Sequence, residues 1–217
     1  MNLDILNQYK KSHDDIHLSV GRTKHFVDTE SDWKKETDQI NLFLDTLNNL
    51  NTNEPVMIEL GTSDIPIYTK IFSDIFPNGK NVCTEILLEN YAKAKSIVPE
   101  AKWYHCYNGA QRHLQEKFPT AQQTGNAKLL TLESLFKIEV LNTIDILHMD
   151  IQGAECDVLD ELNNTGLHLK IKNIFVSIHG AQAYNHCKSI LDSWNANYKF
   201  SHPTQGAFGD GLIVATL

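Results

Sequence analysis

Three stretches of the sequence carry side chains able to handle protons, cations or ribose hydroxyls. They are Glu59, Gly61, Ser63 and Asp64; then Glu85 and Ile86; then His148, Asp150, Ile151, Gln152 and Glu155, with His179 downstream. A histidine oriented by a carboxylate is a general base, and an Asp, Glu and His set can hold a divalent cation that lowers a hydroxyl's pKa. The base version uses His179 with Asp150. The cation version uses Asp150, Glu155 and His179 as ligands of magnesium or manganese. Strand alternation puts His148 on the same face as Asp150, which makes it a third catalytic candidate. Structural roles stand beside these: His148 as an interior histidine, Asp150 as a helix cap, and Glu155 as a dipole complement worth about 0.3–1 kcal/mol.

The segment VMIELGTSDIPIY reads as an apolar strand, a glycine turn and a helix start, the place where open α/β sheets bind nucleotides. A dinucleotide fingerprint wants glycines at 61, 63 and 66, and the sequence supplies Gly61, Ser63 and Pro66. Asp64 would compete with a pyrophosphate for the positive helix end, unless it caps that helix. A cofactor without phosphates suits the loop better. S-adenosylmethionine is one, and Glu59 or Asp64 can meet its cationic ends. Glu85 falls 24 positions after Gly61, near the roughly 20-residue offset at which an acid meets ribose hydroxyls. Asn108 and Gly109 follow the third strand, where they can approach the adenine.

Positioning these groups requires strands that end at one edge. Short β-rich runs at Val56 to Leu60, Asn81 to Ile86, Lys102 to Tyr107, Ile144 to Asp150, Asn173 to His179, Tyr198 to His202 and Leu212 to Leu217 give seven strands. Helical patterns at Ile65 to Phe76, Glu89 to Val98, Gly109 to Phe118, Ala154 to Leu162 and Ala181 to Asn195 alternate with them, as in a parallel sheet with crossover helices. The link Pro203 to Gly211 is too short for a parallel return, so the last two strands form an antiparallel hairpin. His202 and Asp210 flank that link as pocket candidates. Ser31 to Leu50 reads as a helix whose face carries Ile40, Phe43, Leu44 and Leu47. Residues 1–54 are expected to form a helical cap, and 55–217 the catalytic unit. His13, His17 and His25 lack a zinc spacing, Phe26 and Trp33 are packing or lid candidates, and Trp103, Tyr104 and Tyr107 are assigned to the core.

A net charge of -8 argues against a phosphate-tracking nucleic-acid binder. The longest apolar runs fall short of the roughly 18 residues of a membrane span. Cys83, Cys106, Cys156 and Cys187 form no metal pair and no disulfide frame. With no secretory signal visible at the N-terminus, a soluble cytoplasmic protein is expected.

The stretch IDILHMDIQGAECDVLDEL, Ile144 to Leu162, resembles the FkbM family of S-adenosylmethionine-dependent methyltransferases. Members carry a strand ending in Asp, then a Gln-Gly-Ala/Trp-Glu turn and a helix, matched by Asp150, Gln152, Gly153, Ala154 and Glu155. Glu59, Gly61, Glu85, Leu132 to Leu135 and His179 follow the same order. The family more often has a glycine-richer first loop, Lys at His148 and Glu at Ser177. The resemblance implies a Rossmann-like class I fold and methyl transfer to a hydroxyl of a sugar or glycan. A nicotinamide-dependent reductase and a non-catalytic cofactor-binding module on the same sheet are the alternatives.

Overall fold

The computed structural model describes residues 1–20, 30–109, 124–201 and 210–217. Eight strands form one sheet: β1 (Val56–Leu60), β2 (Lys80–Glu85), β3 (Lys102–Tyr107), β4 (Lys128–Leu129), β5 (Ile144–Met149), β6 (Ile171–His179), β7 (Asn197–Ser201) and β8 (Asp210–Thr216). Their spatial order is β4-β3-β2-β1-β5-β6-β8-β7. Strands β1 to β6 pair in parallel, while β8 runs antiparallel to both β6 and β7. The eighth strand, absent from the expected seven, is β4. Its two exposed residues add to the outer edge of β3, and nothing in so short a run separates a strand from a loop.

Helices α1 (Leu3–Lys11), α2 (His13–Ser19), α3 (Glu30–Asn48) and α4 (Ile67–Ile75) lie on one side of the sheet. Leu6, Ile16, Ile40, Phe43, Leu44 and Leu47 are fully or almost fully buried there against Ile71, Phe72, Met57, Ile146 and Phe175. The other face is covered by α6 (Leu132–Ile138), α7 (Glu155–Thr165) and α8 (Ala181–Ser193), while α5 (Leu88–Ile97) closes over β2 and β3. Within the helical cap expected over residues 1–54 only the helix at Ser31 to Leu50 was placed individually; α1 and α2 lie before it. Helix α1 is amphipathic, burying Leu6 and Tyr9, and packs on α3 and α4, while α2 packs on α4. The helix expected from Gly109 to Phe118 lies, beyond its first residue, outside the described residues, as do His25, Phe26, His202 and the side chains of Trp33 and Asp210. Among the described residues, no helix is long and apolar enough to cross a membrane.

Phe43 meets Tyr68 edge-on at 5.0 Å and Phe175 at 5.5 Å between ring centroids. Its replacement by alanine leaves a cavity between α3 and the sheet. Phe43→Ala is expected to cost about 3–5 kcal/mol in urea unfolding; a loss below 1 kcal/mol would mean that α3 does not pin this face.

Candidate active site

The strand order reverses between β1 and β5, which opens a crevice at their C-terminal ends. Gly61 makes the crossing possible. Its φ is +78°, and a Cβ there would lie 2.1 Å from the carbonyl oxygen of Asp150. The two loops are also tied by the Asp150 N–H, which donates to the Leu60 carbonyl at 2.9 Å, and the N–H of Gly61 donates to the Thr84 carbonyl at 3.0 Å. Ser63 and Gln152, on opposite sides of the crevice, both hold left-handed backbone at φ 61° and 56° without being glycine. Such conformations persist where the surroundings fix them, and they cluster at functional sites.

Glu85 ends β2 almost buried, with its carboxylate accepting from the N–H of Ser63 at 2.9 Å and of Leu87 at 2.8 Å. Burial raises its pKa, and the backbone bonds oppose that shift. This carboxylate borders a cavity of about 280 Å³ whose walls include Gly61, Ser63, Ile86, Asn108, Asp150, Ile151 and Gln152. The Asn108 side chain is fixed by Thr84, whose hydroxyl donates to it at 2.6 Å, and by its own donation to the Leu130 carbonyl at 2.7 Å. Gly109 stands beside the wall rather than in it, packed so closely on Ala154 that an added Cβ would sit 2.7 Å from that methyl.

Two expected roles change. Asp64 does not line this cavity and does not cap α4, whose N-cap is Pro66 without a side-chain bond. Its carboxylate instead accepts from Lys93 at 2.6 Å, a partly exposed pair of the kind that contributes little stability. Tyr107, assigned to the core, is buried and also lines the cavity, together with Thr84, Leu87, Asn90 and Cys106. Only their place at the ends of β2 and β3 and at the start of α5 could have revealed these residues, because their chemistry carries no signature.

Asp150, Glu155 and His179 converge at the far side of the crevice. His179 Nε2 lies 3.3 Å from Asp150 Oδ1, and Nδ1 lies 3.2 Å from Glu155 Oε1. Burial opposes a charge on the imidazole, but hydrogen bonding and attraction from the two carboxylates outweigh it and raise its pKa to about 10. The two carboxylates thus favour the protonated ring. Burial likewise opposes ionisation of Asp150, and the hydrogen bond from His179 outweighs it, so the Asp150 pKa falls. Neither acid caps α7 from an N-cap position, which Ala154 occupies without a side-chain bond. Glu155, fully buried, reaches back from the first helical turn to accept from the N–H of Ile151 at 2.9 Å and of Gly153 at 2.7 Å. One ligand atom from each of the three residues lies within 4.8 Å of the others, a spacing that one cation could span. Both Glu155 oxygens also accept from backbone donors.

A second cavity, of about 360 Å³, adjoins the first and shares Gly61, Ser63 and Asp150 with it. Glu59 and His148 lie in its wall, as neighbours in register on β1 and β5. Glu59 accepts a short hydrogen bond from the Thr69 hydroxyl. It was expected at the cofactor, and it borders this second space instead of the first.

The fold is that of the class I S-adenosylmethionine-dependent methyltransferases. The methyltransferase 10 domain containing protein from human matches it with a TM-score of 0.52 and 13% identity, over 84% of this chain and 81% of that one. The METTL16 MTase domain matches with a TM-score of 0.53 and 14% identity, over 83% of this chain and 67% of that one. The N-terminal domain of human METTL16 in complex with SAH gives 0.51 and 13%, over 84% and 69%. At these identities the likeness is one of fold. No curated protein sequence matches the chain. The sequence model of the methyltransferase FkbM domain matches residues 77–200, more than half of the chain, and the protein belongs to that family.

Proposed function

We propose that the protein transfers the methyl group of S-adenosylmethionine to a hydroxyl oxygen of a sugar or glycan. The buried Glu85 carboxylate at the end of β2, bordering a cavity at the strand-order reversal, is the observation that carries this reading. Its remaining lone pairs suit the two ribose hydroxyls, and Asn108, Ile86 and Tyr107 lie where an adenine would stack and bond. A cavity of about 280 Å³ fits an adenosine better than a whole S-adenosylmethionine, so the amino-acid end extends out of it past Gly61 and Ser63. Binding of S-adenosylhomocysteine by the METTL16 domain supports the same donor on this fold. Family membership among methyltransferases favours it over a nicotinamide cofactor.

The reaction is an in-line displacement, and the protein's share is to hold the acceptor oxygen opposite the sulfur and to take its proton. His179 is proposed to serve by position. As an imidazolium clamped by Asp150 and Glu155 it fixes the loop that separates the two cavities, with a proton rather than a divalent cation at the centre of the cluster. A neutral acceptor is consistent with the chain's charge of -8, which gives phosphate-rich partners little attraction.

Calorimetric titration with S-adenosylmethionine, S-adenosylhomocysteine and NADH, with and without magnesium or manganese, tests the reading. Saturable binding of both adenosyl ligands is expected, with no dependence on metal. Glu85→Gln, which keeps one acceptor oxygen and loses the charge, is expected to weaken S-adenosylhomocysteine binding tenfold or more. Binding of NADH without either adenosyl ligand would replace this function with the reductase.

A further inference from the structure

Glu59 and His148 stand side by side on parallel strands, each 2% exposed, on the sheet face that α3 and α4 otherwise cover with apolar side chains. Nδ1 of His148 lies 3.5 Å from Glu59 Oε1, and no protein group hydrogen-bonds to it. A buried ring nitrogen left without a bond costs free energy unless something else fills its need. The His148 side chain also borders the second cavity. Glu36 and Gln39 of α3, Tyr68 of α4, Asp150 and Ser177 are among its other lining residues, and the Tyr68 ring lies 4.1 Å from the His148 ring. None of the described residues in this wall is a lysine or arginine.

We propose that this second cavity is the acceptor subsite, that it takes an uncharged, hydroxyl-bearing ligand, and that His148 is the catalytic residue that accepts the hydroxyl proton, with Glu59 positioning it. The inference rests on the methyltransferase reading. In the step, the acceptor oxygen forms a bond to the methyl carbon as the carbon–sulfur bond breaks. The electron pair of that bond goes to sulfur, giving S-adenosylhomocysteine, and the hydroxyl proton goes to His148. The sulfonium charge is thereby exchanged for an imidazolium charge, next to Glu59 and Asp150.

The electrostatics of the wall agree with an uncharged ligand. Burial lowers the pKa of His148 to about 4, partly opposed by Asp150, and burial raises that of Glu59 to about 8, opposed by its bonds to Thr69. Both directions favour the uncharged forms of the two groups. The groups around it are Glu59 on β1, Glu36 on α3, Tyr68 on α4, Asp150 after β5 and the uncharged Phe175 on β6. A phosphate would meet a wall that carries acids and, among its described residues, no lysine or arginine. An ammonium would find Asp150 already paired with His179 and Glu59 protonated.

The test uses protein labelled with 15N-histidine and saturated with S-adenosylhomocysteine, titrated with methyl α-D-glucopyranoside, glucosamine or glucose 6-phosphate. Only the neutral glycoside is expected to shift the His148 ring signals, which are assigned by their loss in His148→Asn. A shift driven by a charged sugar, or none at all, overturns the proposal. With S-adenosylmethionine and the glycoside, His148→Asn is expected to lower kcat at least 100-fold with KM within threefold, and added imidazole to restore part of the rate in His148→Ala. Lack of turnover by the wild type, or a loss confined to KM, also overturns it. S-adenosylhomocysteine binding reports whether each variant is folded, and His148→Gln replaces any that is not. If the wild type binds no S-adenosylhomocysteine, the methyltransferase reading fails; if it binds and His148 stays silent, only the acceptor subsite fails.

Discussion

Gly61→Val is expected to abolish measurable S-adenosylhomocysteine binding and to destabilise the fold by on the order of 3 kcal/mol or more. Two separate costs add. A β-branched residue at φ +78° pays on the order of 1–3 kcal/mol for its backbone alone. Its Cβ would also stand 2.1 Å from the Asp150 carbonyl oxygen and 2.9 Å from the Ile151 side chain, so the loops after β1 and β5 must part. That movement carries Ser63 away from Glu85 and widens the wall shared by both cavities. Gly61→Ala meets the same contact with a smaller side chain and is expected to fall between the two in urea unfolding and in calorimetry. Binding within twofold of the wild type in Gly61→Ala would show that the crossing is not the pivot of the site.

The parallel sheet was readable because each buried strand is a compact apolar run, Val56 to Leu60 and Ile144 to Met149 above all, and each is followed by a helix-length segment. The antiparallel ending followed from the shortness of the link before Asp210. What escaped was marginal in itself. Strand β4 has two residues, and α1 and α2 are short helices that owe their place to Leu6, Ile16 and the apolar face of α4. A two-residue strand carries too little pattern to be read, whereas α1 does carry an amphipathic pattern and was covered only by the general expectation of a helical cap.

At the site, Asp150, Glu155 and His179 were predicted to meet and they do, since strand ends in a parallel sheet share one edge. Their protonation was not readable. Whether a histidine between carboxylates is a base, a cation ligand or an imidazolium depends on distances of 3.2 and 3.3 Å that spacing in sequence does not give. Glu59 shows the same limit. Alternation along β1 turns it toward α4, but only the register of β1 on β5 puts it beside His148. Asp64 was misplaced for a related reason: the left-handed turn at Ser63 swings the chain so that its acid meets Lys93 on the surface.

Glu155→Ala is expected to cost about 3–5 kcal/mol, because it removes one partner of a buried ion pair. The N–H groups of Ile151 and Gly153 lose their acceptor at the same time. The pH dependence separates the charge from the backbone bonds. A His179 pKa raised from 6.5 to about 10 means that its stabilisation is complete below about 6.5 and disappears as pH climbs through 10. The lowered pKa of Asp150 works at the other end: its contribution is present above 3.8 and is lost as pH falls through its folded value. Between pH 7 and 10.5 the wild type is therefore expected to lose more stability than Glu155→Ala, in which one of the two carboxylates holding the imidazolium is gone. Titration of Glu59 over part of this range occurs in both proteins and cancels in the difference. Urea midpoints at the two pH values supply the measurement, and a constant gap between wild type and variant would mean that Glu155 serves the loop's N–H groups alone and that His179 owes its charge to Asp150.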